Sequence, residues 1–113
     1  MKAYTDINQS KKLAEILPLE SADAHYWCKD GDDLRLGGGF SIDKDLDIPA
    51  WSLAALLDTL PEGVIENYYA PNLQKENGKY SIAYGNEELL CIADNPIDAC
   101  YEMIIKLSEL KML

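Results

Sequence analysis

One histidine and three cysteines are the residues of this chain best suited to nucleophilic or metal chemistry. Their spacing decides what they can do. His25 and Cys28 stand three residues apart. On a strand that offset puts them on opposite faces, which argues against a Cys–His catalytic pair. They offer two zinc ligands, but Cys91 and Cys100 are nine apart and far along the chain, which is no zinc-ribbon spacing. Cys91 also sits in the apolar run LLCIA, where a free cysteine behaves as a small hydrophobe. No metal site is assigned.

The acidic clusters fare no better. Asp43, Asp45 and Asp47 begin like a calcium loop, yet the sixth position is Ile48 rather than glycine and the twelfth is Ala54 rather than glutamate. They read as a solvated connector that caps the element after it. Asp30, Asp32 and Asp33 read as a turn. Gly37, Gly38 and Gly39 lack the Lys-Ser/Thr ending of a phosphate loop and the spacing of a dinucleotide fingerprint. They read as a bulge or loop within a strand region, and Ser41 after them lacks a nucleophile elbow. Twenty carboxylates leave a glycosidase pair conceivable, but nothing singles out two of them. The expectation is no catalytic residue and no cofactor.

With 113 residues the chain matches one globular domain over 1–113, long enough for a core without staples. Ten basic against twenty acidic residues give a net charge of −10. That balance disfavours nucleic acid and anionic membranes as direct partners, since both are held by Lys and Arg. It suits a basic protein surface, or simply keeps a small domain soluble. The polar start MKAYTDINQSKK has no signal-peptide character, and no apolar run is long enough to cross a membrane. A cytoplasmic location is expected.

The elements around these residues are legible from punctuation and period. Ile48–Pro61 (IPAWSLAALLDTLP) reads as a core helix fenced by prolines, with Pro49 in its first turn and Asp47 as cap. Leu53, Leu56, Leu57 and Leu60 form its stripe at i, i+3, i+4 and i+7. A first helix starts at the Asp6 cap, with Gln9 in capping-box position, and stops before Pro18. A last helix starts at Asn95-Pro96. Its wide apolar arc needs either more than one neighbour or a second subunit, and the second alternative is a homodimer through this helix. Ala24–Lys29 reads as a strand, with a return strand after the aspartates. Residues 64–69 read as extended. A hairpin turns at Asn77-Gly78, and Leu89–Ala93 reads as a central strand. The sum is an α+β fold: two layers, a largely antiparallel sheet, and about three helices packed on one face, with tyrosines on the other.

The one positive hint of function is aromatic. Trp27, Trp51, Tyr68, Tyr69, Tyr80 and Tyr84 are candidate partner-binding residues, because Trp and Tyr anchor interfaces. Trp51 lies opposite the leucine stripe and either covers a loop or joins a partner-binding patch.

Three segments, SKKLAEILPLESAD (10–23), IPAWSLAALLDTLP (48–61) and DACYEMIIKL (98–107), resemble a family of short uncharacterised proteins. That family recurs in prophage and mobile-element regions of gut anaerobic bacteria of the Bacteroides type. The resemblance implies a setting of phage or mobile DNA in a bacterial cytoplasm and carries no activity. The expected function is a non-catalytic protein-binding module. The alternatives are an acidic inhibitor or DNA mimic directed at a host nuclease or DNA-binding enzyme, and a small enzyme of unknown class.

Overall fold

A computed structural model describes residues 2–29, 33–38, 48–61, 71–84 and 89–113, with backbone alone for 27–29 and 33–38. Helix α1 spans Ile7–Ala14 and is closed by a full capping box: Gln9 N donates to Asp6 Oδ1 at 2.8 Å, and Asp6 N donates to Gln9 Oε1 at 3.1 Å. Leu13 takes its apolar side into the core, and Leu17, just beyond the helix, is buried with it. A 3₁₀ turn, Leu19–Ser21, follows Pro18.

Strand β1 (Ala24–Lys29) pairs antiparallel with β2 (Asp33–Gly38) on one side and β3 (Ile48–Ala50) on the other. Two expectations change here. Gly37 and Gly38 do not interrupt the return strand; they lie within β2, opposite His25 and Ala24. Ile48-Pro49-Ala50 is strand rather than first helical turn. Proline's fixed φ suits an edge strand as well as a helix start, and among the described strands β3 is an edge, with Pro49 opposite His25. The helix therefore begins later. Helix α2 spans Leu53–Thr59 and its cap is Ser52, whose Oγ accepts from Ala55 N at 3.2 Å. The leucine stripe keeps its place: Leu56 and Leu60 are buried, and Leu53 and Leu57 pack at the margin of the core.

Strands β4 (Pro71–Glu76), β5 (Lys79–Tyr84) and β6 (Leu89–Ala93) form an antiparallel meander in that order. The hairpin turns at Asn77 (φ 52°) and Gly78 (φ 77°), the left-handed pair that matches strand twist. Within the described residues β5, not β6, is central, and Ile92 on β6 is 56% exposed. Helix α3 spans Pro96–Glu109; Asn95 Oδ1 accepts from Asp98 N at 2.8 Å, and Pro96 takes the first turn. It packs on β5, β6 and α2, so more than one neighbour accounts for its wide apolar arc.

The fold is α+β, antiparallel throughout the described strands, which divide into two three-stranded sheets. One apolar cluster packs the helices on the β4–β6 sheet, from Leu13, Trp51 and Leu56 through Ile82 and Tyr84 to Met103, Ile104 and Leu107. Tyr84 thus lies under α3, not on an uncovered sheet face. Among the described residues no helix is long and apolar enough to cross a membrane. Residues 64–69, Asp43, Asp45, Asp47, Asp30, Asp32 and Gly39 lie outside the described residues.

Candidate functional site

The C-terminal ends of α1, α2 and α3 come together around one groove. Beyond α1 the chain turns back on itself, with Ile16 N and Leu17 N both donating to Leu13 O. Pro18 then stops helical continuation. Ser21 fastens the 3₁₀ turn: its hydroxyl donates to Pro18 O at 2.6 Å and accepts from Trp51 Nε1 at 3.0 Å. The end of α2 is closed by Thr59 Oγ1 donating to Leu56 O at 2.7 Å, and Pro61 O accepts from Tyr84 Oη at 2.7 Å. At the end of α3, Met112 N donates to Leu107 O at 2.8 Å and Lys111 N to Ser108 O at 3.1 Å, the paired bonds of a Schellman ending.

Between these ends lies an open groove of about 780 Å³. Its apolar surface comes from Ile16, Leu17, Pro18, Pro61 and Leu113, and its rim carries Glu15, Glu20 and Asp58. Glu15 is 3.9 Å from Lys12, whereas Glu20 and Asp58 take part in no ion pair among the described residues. Among the described residues the lining holds hydroxyls from Ser21, Thr59 and Ser108 but no His, Cys or Lys. It therefore brings together no hydroxyl with a histidine or lysine base. An apolar floor with a one-signed rim suits binding.

The aromatic candidates do not gather at this groove. Trp51 and Tyr84 are fully buried, each with its polar atom satisfied, so they are core residues and not surface anchors. Burial, with Cys100 nearby, pushes the Tyr84 phenol up to about 12. Tyr80 is half-buried on β5, its ring 5.6 Å from Lys75 Nζ. Trp27 is placed in β1 by its backbone, and Tyr68 and Tyr69 lie outside the described residues.

The chemistry-bearing residues are also apart. His25 lies in β1 opposite Gly37 and Pro49, and its Nδ1 is buried without a partner among the described residues. Cys91 and Cys100 are buried between β6 and α3. Burial pushes both thiols up, Cys100 to about 12 with a further contribution from Cys91, so both stay protonated and poorly nucleophilic at neutral pH. Among the described residues no three His, Cys, Asp or Glu side chains gather as a metal site.

Sequence reasoning missed the groove. Its lining comes from four separated stretches, and no periodicity within one element announces it. Comparison with known protein families, curated proteins and solved structures finds no match to this chain.

Proposed function

We propose that the chain is a non-catalytic protein-binding module whose contact surface is the groove between the 3₁₀ turn, the end of α2 and the end of α3. The setting we propose, from the resemblance of its helical segments, is a bacterial cytoplasm carrying phage or mobile DNA. The observation that supports binding over catalysis is the lining itself: apolar side chains beside three carboxylates, with no histidine, cysteine or lysine among the described residues. A volume of about 780 Å³ falls within the roughly 300–1,000 Å³ of formed ligand sites, enough to bury side chains of a partner.

A photo-crosslinking side chain placed at Leu113 or at Glu15 tests this in bacterial cytoplasm. Both positions line the groove and both are exposed. A discrete protein adduct is expected from these positions and not from Lys75 on β4. Identical adducts from all three, or none from the groove positions, would remove the groove as a contact surface.

A further inference from the structure

We infer that the groove takes a basic amphipathic peptide segment, one that seats apolar side chains on the Ile16–Leu17–Pro18 floor and sets Lys or Arg against Glu20 and Asp58. This rests on the reading of the chain as a binding module and names the chemistry of its partner. The floor alone would accept any apolar residue. The rim is selective. Among the described residues three carboxylates and no cation line the groove, in a chain of net charge −10. Glu20 and Asp58 are exposed and take part in no ion pair among the described residues, so no described cation competes for them. An acidic segment would meet like charge here, whereas a basic one is steered in and then held by burial of its apolar side.

The occupant fits recognition in which an apolar stripe supplies contact and flanking charge supplies register and selectivity. Leu113, 45% exposed, adds a further apolar side chain to the lining. The Pro18 turn, which also lines the groove, is fixed by the Ser21 hydroxyl and, through it, by the Trp51 indole. Because that turn is held by the core, binding orders little additional backbone on this side, and the cost of association stays low.

The test uses the full chain with three synthetic probes: a short amphipathic peptide of leucine and lysine, the same peptide with lysine replaced by glutamine, and the same with glutamate. Binding is read by amide NMR shifts at Ile16, Leu17, Thr59, Ser108 and Leu113, and by fluorescence anisotropy. The lysine peptide is expected to shift these groove amides and to bind more weakly as salt is raised. The double variant Glu20→Lys, Asp58→Lys should weaken it about tenfold or more, since two exposed attractions become repulsions. The charge-matched control Glu76→Lys, Glu102→Lys should change it little.

Equal loss in both double variants would show a general charge effect and overturn the inference. Equal groove shifts from the glutamine or glutamate peptide would overturn the cationic occupant while leaving the binding module standing. Silence from all three peptides, with a groove adduct still formed from Leu113, would overturn the inference alone. Silence in both experiments would overturn the module as well.

Discussion

Lys2 Nζ donates to Asp98 Oδ1 at 2.8 Å, joining the start of the chain to the first turn of α3 across 96 positions. The same ammonium reaches Asp6 Oδ2, the cap of α1, at 3.1 Å. Gln9 completes the link. Its carbonyl closes the α1 capping box, and its Nε2 donates to Asp98 Oδ1 at 2.7 Å. Asn95 Nδ2 donates to the other Asp98 oxygen at 2.8 Å. Two helix N-termini are therefore held side by side. The repulsion expected between their positive ends is offset by the Asp6 and Asp98 carboxylates, and Lys2 balances the pair.

This network gives stability a pH dependence of definite sign. Burial works to raise the Asp98 carboxyl, but hydrogen bonds from Lys2, Gln9 and Asn95 outweigh it and hold it below its usual 3.8. Asp6 is lowered in the same way, burial opposing and the bonds from Gln9 and Lys2 prevailing. A folded value below the unfolded one means that the unfolded chain takes up protons first as pH falls. The contribution is thus full above about pH 5 and drains away as pH falls through the folded values. Lys2 is shifted up: burial opposes its charge, the two aspartates outweigh burial, and its share is lost as pH rises past 10.5. Asp98→Asn should cost about 1 kcal/mol at pH 7, the group being a third exposed and screened. Urea midpoints from pH 3 to 7 should show a shallower acid limb in the variant; an unchanged limb would remove the network from the stability of the fold.

Thr5 makes a sharper local case. Its hydroxyl, fully buried, accepts from Trp51 N at 3.1 Å and lies 2.8 Å from Ser10 Oγ, while Thr5 N donates to Trp51 O at 2.9 Å. Thr5→Val keeps the shape and removes the acceptor, stranding the Trp51 amide and the Ser10 hydroxyl. The expected loss is about 1–3 kcal/mol, with Thr5→Ser losing less. Equal urea midpoints for Val and Ser would show that the polar bond carries nothing.

Cys91 and Cys100 should be silent to thiol reagents in the native state. Both are buried and protonated at neutral pH, Cys100 most of all. In a Cys28→Ser background, labelling at pH 8 should proceed only at the rate of unfolding, then run to completion in denaturant. Rapid native labelling would contradict the packing of β6 on α3.

Local rules carried the sequence reading far where the signal is short-range. The Asp6–Gln9 box, the Asn95-Pro96 start and the Asn77-Gly78 turn each depend on neighbours within three residues, and each is found where expected. Ile48–Ala50 went astray because Pro49 satisfies a helix start and an edge strand equally. What decides between them is pairing with β1, twenty-four residues earlier at His25. Trp51 was misplaced for the same reason. A helix begun at Pro49 turns its ring away from the leucines, whereas in the structure Trp51 precedes the helix and is aimed by Ser21 and Thr5. The groove was invisible because its walls are joined only by tertiary packing.

The leucine stripe separates into residues of different weight. Leu56 is fully buried and Leu57 only half so. Leu56→Ala should cost about 2–5 kcal/mol by leaving a cavity beneath α3, and Leu57→Ala should fall well below it. Reversal of that order in chemical denaturation would mean that α2 is rotated about its axis.

Lys111 is the position where a substitution should stabilise. It adopts φ 58° as the left-handed residue of the Schellman ending, with Leu107 and Ser108 carbonyls accepting from the two amides that follow the helix. An L-residue with a β-carbon meets steric strain in that region, whereas glycine does not, and glycine is the residue most used there. The gain is reduced by glycine's greater freedom in the unfolded chain, and no ion pair involving Lys111 is found among the described residues to set against it. Lys111→Gly should therefore raise stability by about 0.5–1 kcal/mol, and Lys111→Ala should give none of that gain, since alanine keeps the β-carbon. The pair distinguishes backbone strain from loss of a charge: equal stabilisation by glycine and alanine would assign the effect to the lysine charge and leave the left-handed ending without strain.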